Sequence, residues 1–335
     1  MEKGFRKFYY TYKHFDSKDW ATFIIGVNLI LLYISIILWN WADKSYETWK
    51  VYNENQDLLR KIKEIADSKP NMQREVYRSL LPNAVLLLWG GTTYWFTFMS
   101  NVLMAITILI FPFFKKSRKM QKFYFSGIVY IIIVVSAFWF GYIVDSSIGG
   151  NDTDNDFYRT LVWHAIAPFF GIITLFWERK RIRVSTRVIW SFSIYPVTYL
   201  IFIIFIYTFG YKFKNLIQHD FLPSIVAQTN EENYIIPKIY NTELDRGIAI
   251  YSAISFWHPL GYSGDNLYLK SILILIMISL SFFSAPAVGF ILRKVLRILQ
   301  PGQKALPPVY FIKTKERIEA IEQRKAVMQE AKNEK

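Results

Sequence analysis

Apolar residues fall into runs of about 20, the length a helix needs to cross a ~30 Å hydrocarbon core. Such runs occur at 21–41, within 84–114, and at 123–144, 161–177, 188–209 and 271–292. The stretch 127–144 holds no charged residue, which makes the third run the clearest. The second is overlong, and its Gly90-Gly91 pair predicts a kink or the true outer start of the span. The pattern predicts an all-α polytopic membrane bundle of six transmembrane helices spanning 21–292, with outer loops at 42–83, 145–160 and 210–270. A short segment 1–20 precedes the bundle and a tail 293–335 follows it.

Between the spans the pattern changes. Val51, Leu58, Ile62 and Ile65 stand at helical spacing among charges and predict a surface helix on the membrane or on its neighbours. Loop 210–270 has turn signals at Pro223, Pro237 and Pro259 but no clear period. From Thr314 onward, Glu316, Glu319, Glu322 and Arg324 predict a charged, solvated helix. The first run ends in Trp39, Asn40 and Trp41 rather than in a small-residue cleavage site, so it reads as a retained anchor with an aromatic belt.

Charge orients the bundle. Segment 1–20, the connections after spans two and four, and the tail hold 26 of the 40 basic residues and 9 of the 26 acidic ones. The alternate loops hold 14 basic and 17 acidic residues, with Asp145, Asp152, Asp154 and Asp156 in the middle loop. Short cytoplasmic loops are enriched in Lys and Arg, which predicts both termini in the cytoplasm, N-in and C-in. The net charge of +14 is therefore a topology signal and a contact with anionic lipid headgroups at the cytoplasmic face, not a nucleic-acid footprint.

Composition agrees: 53% hydrophobic and 18% aromatic residues call for a solvent other than water. The absence of cysteine excludes disulfides, thiolate metal sites and a cysteine nucleophile. Covalent chemistry would have to use Ser, Thr, Lys or a carboxylate, and no metal or cofactor is expected. The bias towards Lys, Ile, Asn, Phe and Tyr matches an AT-rich bacterial genome and places the chain, as a multi-pass protein, in a plasma membrane.

No span carries Asp, Glu, Lys or Arg away from its ends, which disfavours ion-coupled transport. Of four histidines only His164 lies in a span, which disfavours bis-histidine haem. The second span carries Thr93, Thr97, Ser100 and Asn101 on one helical stripe. Such a stripe faces protein or a cavity, and hydroxyls in membrane helices commonly bond their own backbone or a neighbouring helix. Thr97 lies 18 residues before Lys115 and His164 lies 15 before Arg179, so their depths differ by roughly 5 Å. The two can meet in the outer half of the membrane. A hydroxyl beside an imidazole has the elements of an activated nucleophile, with Ser100 or Asn101 a turn away as oxyanion or orienting groups.

Residues 95–103, Trp-Phe-Thr-Phe-Met-Ser-Asn-Val-Leu, resemble the second-helix motif of the androgen-induced protein and androgen-dependent TFPI-regulating protein family, including its prokaryotic six-transmembrane branch. Residues 164–168, His-Ala-Ile-Ala-Pro, are similar to that branch's histidine-proline helix, and 195–199, Tyr-Pro-Val-Thr-Tyr, to the next one. The likeness runs from about residue 85 to 210, leaving 43–81, 210–270 and the tail without a counterpart. Animal members are intramembrane threonine hydrolases of fatty-acyl esters that use a Thr and a His; the matching positions are Thr97 and His164.

The resemblance implies a lipid-ester hydrolase. The alternatives are a non-enzymatic membrane scaffold or lipid-binding protein, and a small-solute transporter. Rhomboid proteolysis is disfavoured, because Phe125-Ser126-Gly127 lacks the first Gly of its nucleophile motif and Ser263-Gly264 falls in a loop.

Overall fold

A computed structural model describes residues 13–89, 91–144, 154–216, 243, 247–251, 254–262, 264–303 and 315–333. Among them are six helical stretches long and apolar enough to cross a membrane. Helix α1, Ser17–Glu54, opens on a capping box: the Asp16 carboxylate accepts from the Lys18 and Asp19 amides, and Asp19 returns a bond to the Asp16 amide. Its 38 residues extend about 57 Å, nearly twice the apolar thickness. Much of 42–83 is therefore not loop but the continuation of α1, followed by α2 (Gln56–Ser68), α3 (Gln73–Leu80) and α4 (Ala84–Trp89). Val51 and Leu58 belong to different helices because the chain breaks at Asn55; of the four residues expected on one face only Ile62 is buried.

The second span is interrupted at Gly91. A 3-10 turn, Gly91–Tyr94, separates α4 from α5 (Phe96–Phe114), whose 19 residues rise about 28 Å. Then come α6 (Arg118–Val144), α7 (Asp154–Leu161) and α8 (Ala167–Glu178), the last two joined by a π turn over Val162–Ile166. Helix α9 (Thr186–Trp190) leads through a 3-10 turn into α10 (Ile194–Gly210). Helix α11 (Leu267–Val295) is the sixth span, and α12 (Lys315–Asn333) is the helix expected in the charged tail.

The core surrounds α5. Met104, Ala105, Ile108 and Phe111 are fully buried against Tyr124, Phe125 and Ile128 of α6 and Leu175 of α8. On α1, Gly26 lets two backbones touch: a Cβ there would lie 2.6 Å from Leu109 Cα. Helices α1 and α11 turn Leu31, Ile34, Leu275 and Ile291 outward, as lipid-facing helices do.

The basic segments meet at one end, as their charge predicts. Asp19 pairs with Lys115 and Arg181, Arg179 donates to the Leu296 carbonyl, and the Val184 amide bonds the Leu299 carbonyl. At the opposite end Arg159 bonds Asn40 and pairs with Asp43 at 2.7 Å, holding α7 against α1.

Candidate functional site

Pro168 shapes the segment that carries His164. Proline has no N–H, so carbonyls one turn before it lose their helical donor and the ring forces the helix to widen. In the π turn the Ala167 amide bonds the Val162 carbonyl, five residues back. The carbonyls of Trp163 and His164 take side-chain donors instead: Asn101 Nδ2 at 3.2 Å and Trp139 Nε1 at 3.1 Å. The His164 ring lies flat on Phe138 of α6, centroids 3.7 Å apart and planes 10° apart. Its Nδ1 is buried without a hydrogen-bond partner.

The start of α5 has the opposite problem. Its first amides lack acceptors in the helix, and Trp95 at the cap position offers no side-chain acceptor. Two phenols supply them: Phe96 N–H donates to Tyr199 Oη at 3.0 Å and Thr97 N–H to Tyr251 Oη at 3.4 Å. Tyr199 in turn donates to the Tyr94 carbonyl. The Tyr251 phenol also meets the Thr97 hydroxyl and the Tyr199 phenol, and burial pushes its pKa up, so it stays a neutral donor. Ser100 Oγ lies 3.3 Å from Tyr195 Oη. Tyr251→Phe, which removes one of these partners, is expected to cost about 1 kcal/mol in unfolding measurements in detergent.

Thr97, Ser100 and Asn101 all point into protein, as their spacing predicts. Thr93 does not share that helix, since it stands in the 3-10 turn beyond the glycine break. Asn101 is fully buried and fully engaged: its Oδ1 accepts from Tyr33 Oη at 2.8 Å, and its Nδ2 donates to the Thr97 and Trp163 carbonyls. Tyr33 also stacks on Trp163, 4.8 Å between centroids. Asn101 therefore works as a clamp between α1, α5 and the π turn, with no amide proton left over for an oxyanion. No hydrogen bond joins Thr97 to His164. The Thr97 hydroxyl meets Tyr251, the His164 ring meets Phe138, and the two segments are linked through Asn101.

Sequence reasoning missed the phenols. Tyr195 and Tyr199 are spaced one turn apart on α10, a readable polar signal, but Tyr251 comes from the aperiodic loop. That loop returns to the bundle through buried Ile248, Ala249 and Ile250, and its Glu243 carboxylate accepts from Ser255.

Beside this array, α5, α6 and the α9–α10 segment line an open apolar groove of about 610 Å³. Its walls include Val102, Leu103, Ile106, Phe123, Tyr130 and Ile194; Tyr195 connects it to Ser100, and Lys122 stands at its basic end. No family model, curated protein or solved structure matches this chain.

Proposed function

We propose that this multi-pass membrane protein binds membrane lipid, with one acyl chain lying in the groove between α5, α6 and α10. The observation that carries the reading is the groove itself: an open groove of about 610 Å³, apolar along its walls, set among helices long and apolar enough to cross a membrane. Its size is that of a small-ligand site, and apolar walls with a few polar groups at the ends suit a chain attached to a polar head. The charge asymmetry supports a plasma-membrane setting in which the basic end faces the cytoplasm.

A photoactivatable phospholipid with the reactive group on its acyl chain tests this reading in the reconstituted protein. Crosslinks are expected to concentrate on α5, α6 and α10, and filling the groove with Leu103→Trp to reduce them about tenfold while leaving labelling of α11 unchanged. Labelling spread evenly over all lipid-facing helices, unchanged by Leu103→Trp, would overturn it.

A second reading, hydrolysis of a fatty-acyl ester, draws support from the buried, unpartnered Nδ1 of His164 and from the resemblance around Thr97. His164 would take the proton from Thr97 Oγ1 as that oxygen attacks the ester carbonyl; the alcohol leaves with the proton, and water then releases the acyl group as an acid. The reading requires the Thr97 hydroxyl and a His164 ring nitrogen to come within hydrogen-bond distance, a bond that the described structure does not contain. Labelling by a fluorophosphonate is expected to disappear in both Thr97→Ala and His164→Ala; labelling equal to the parent in either variant rules the mechanism out.

A further inference from the structure

We infer that the bound lipid is an anionic glycerophospholipid of the leaflet next to the basic end, its phosphate held by Lys122. This rests on the lipid-binding reading and adds the class of headgroup and the direction of the chain. Lys122 is the charged side chain lining the groove, and it stands near the start of α6 at the end where the basic segments meet. Two serine hydroxyls lining the groove are already committed: Ser126 Oγ donates to the Phe123 carbonyl and Ser191 Oγ to the Val188 carbonyl. The Lys122 ammonium, which has no ion pair among the described residues, is a donor suited to a phosphate oxygen.

The groove wall on α6 runs from Lys122 to Tyr130, eight residues or about 12 Å, close to the depth of one leaflet of a ~30 Å core. A chain whose head sits at Lys122 thus runs along α6 as far as Tyr130 within its own leaflet. The rim selects the head. Residues 115–122 carry five basic groups and no acid. Lys115 is neutralised by Asp19, whereas Lys116, Arg118, Lys119 and Lys122 have no ion pair among the described residues. A phosphate gains from that field, whereas the ammonium of a zwitterionic head is repelled by it.

Competition against the photoactivatable phospholipid reads this out in the reconstituted full chain. Unlabelled phosphatidylglycerol is expected to displace the probe from the groove at about fivefold lower concentration than phosphatidylcholine. Lys122→Gln is expected to remove that preference by weakening phosphatidylglycerol alone, and Lys122→Arg to keep it, with thermal stability unchanged in both. Equal competition by the two lipids, or a preference that survives Lys122→Gln, would overturn the headgroup assignment and leave acyl-chain binding standing. Oleate competing better than phosphatidylglycerol would overturn it in favour of a free fatty acid. Absence of labelling in the groove would remove both readings together.

Discussion

Replacing Arg181 by Ala is expected to destabilise the bundle by about 3 kcal/mol, read as a shifted unfolding midpoint in mixed detergent. Asp19 and Glu178 are fully buried, and both lean on one guanidinium nitrogen, Arg181 Nη1, at 2.8 and 3.1 Å. Asp16 takes the other nitrogen. Without Arg181, Asp19 keeps Lys115, but Glu178 retains only the Thr22 hydroxyl at 2.8 Å, and Thr22 is itself engaged by Trp177. A buried carboxylate without its cation costs far more than the intact cluster gains. Adding Glu178→Gln to the Arg181→Ala chain is therefore expected to recover part of the loss, the mark of coupled neighbours. A change below about 0.5 kcal/mol, the size usual for substitutions at the surface, would mean that water reaches these carboxylates. Acid should weaken the same corner. The Asp19 amide and, after it, Arg181 hold the Asp16 carboxyl below its ordinary value of 3.8. The stability this gives is present above that pH and is lost as pH falls through the lowered value.

Asn101→Leu is expected to cost about 2 kcal/mol, since Leu fills a similar volume yet leaves the Tyr33 hydroxyl and the Trp163 carbonyl without partners. Interhelical bonds of this kind are worth about 0.6 kcal/mol each on average and up to about 1.7. The expectation sits towards the upper end because Pro168 cannot supply the donor that Asn101 provides. Tyr33→Phe should cost about half as much, because it frees only the Asn101 Oδ1. If Asn101→Leu unfolds at the parent's midpoint, the clamp contributes nothing and the π turn is held by Pro168 alone.

The architecture was legible wherever one local property decided it. Run length gave the six spans, the Gly90-Gly91 pair marked the interruption before α5, and the sign of charge gathered the basic segments at one end. Length failed for α1, because residues beyond Trp41 carry the charges of a solvated helix, and a polar loop carries the same ones. The stripe on α5 was readable because three and four residues make one turn. Its partners were not, since Tyr33, Tyr199 and Tyr251 lie 68, 103 and 154 residues from the groups they bond. Periodicity reports which face of a helix is buried and carries no information about which distant phenol covers it. Pro168 was a missed local clue: its lacking N–H implied that the carbonyls of Trp163 and His164 would need donors from other helices.

A lipid chain seated in the groove would be visible as density. A cryo-electron microscopy map of the protein in a phosphatidylglycerol-containing nanodisc tests for it directly. Continuous tubular density against Val102, Leu103 and Ile194, ending in a headgroup at Lys122, is expected. A groove closed by side chains, with ordered lipid confined to other faces of the bundle, would contradict it.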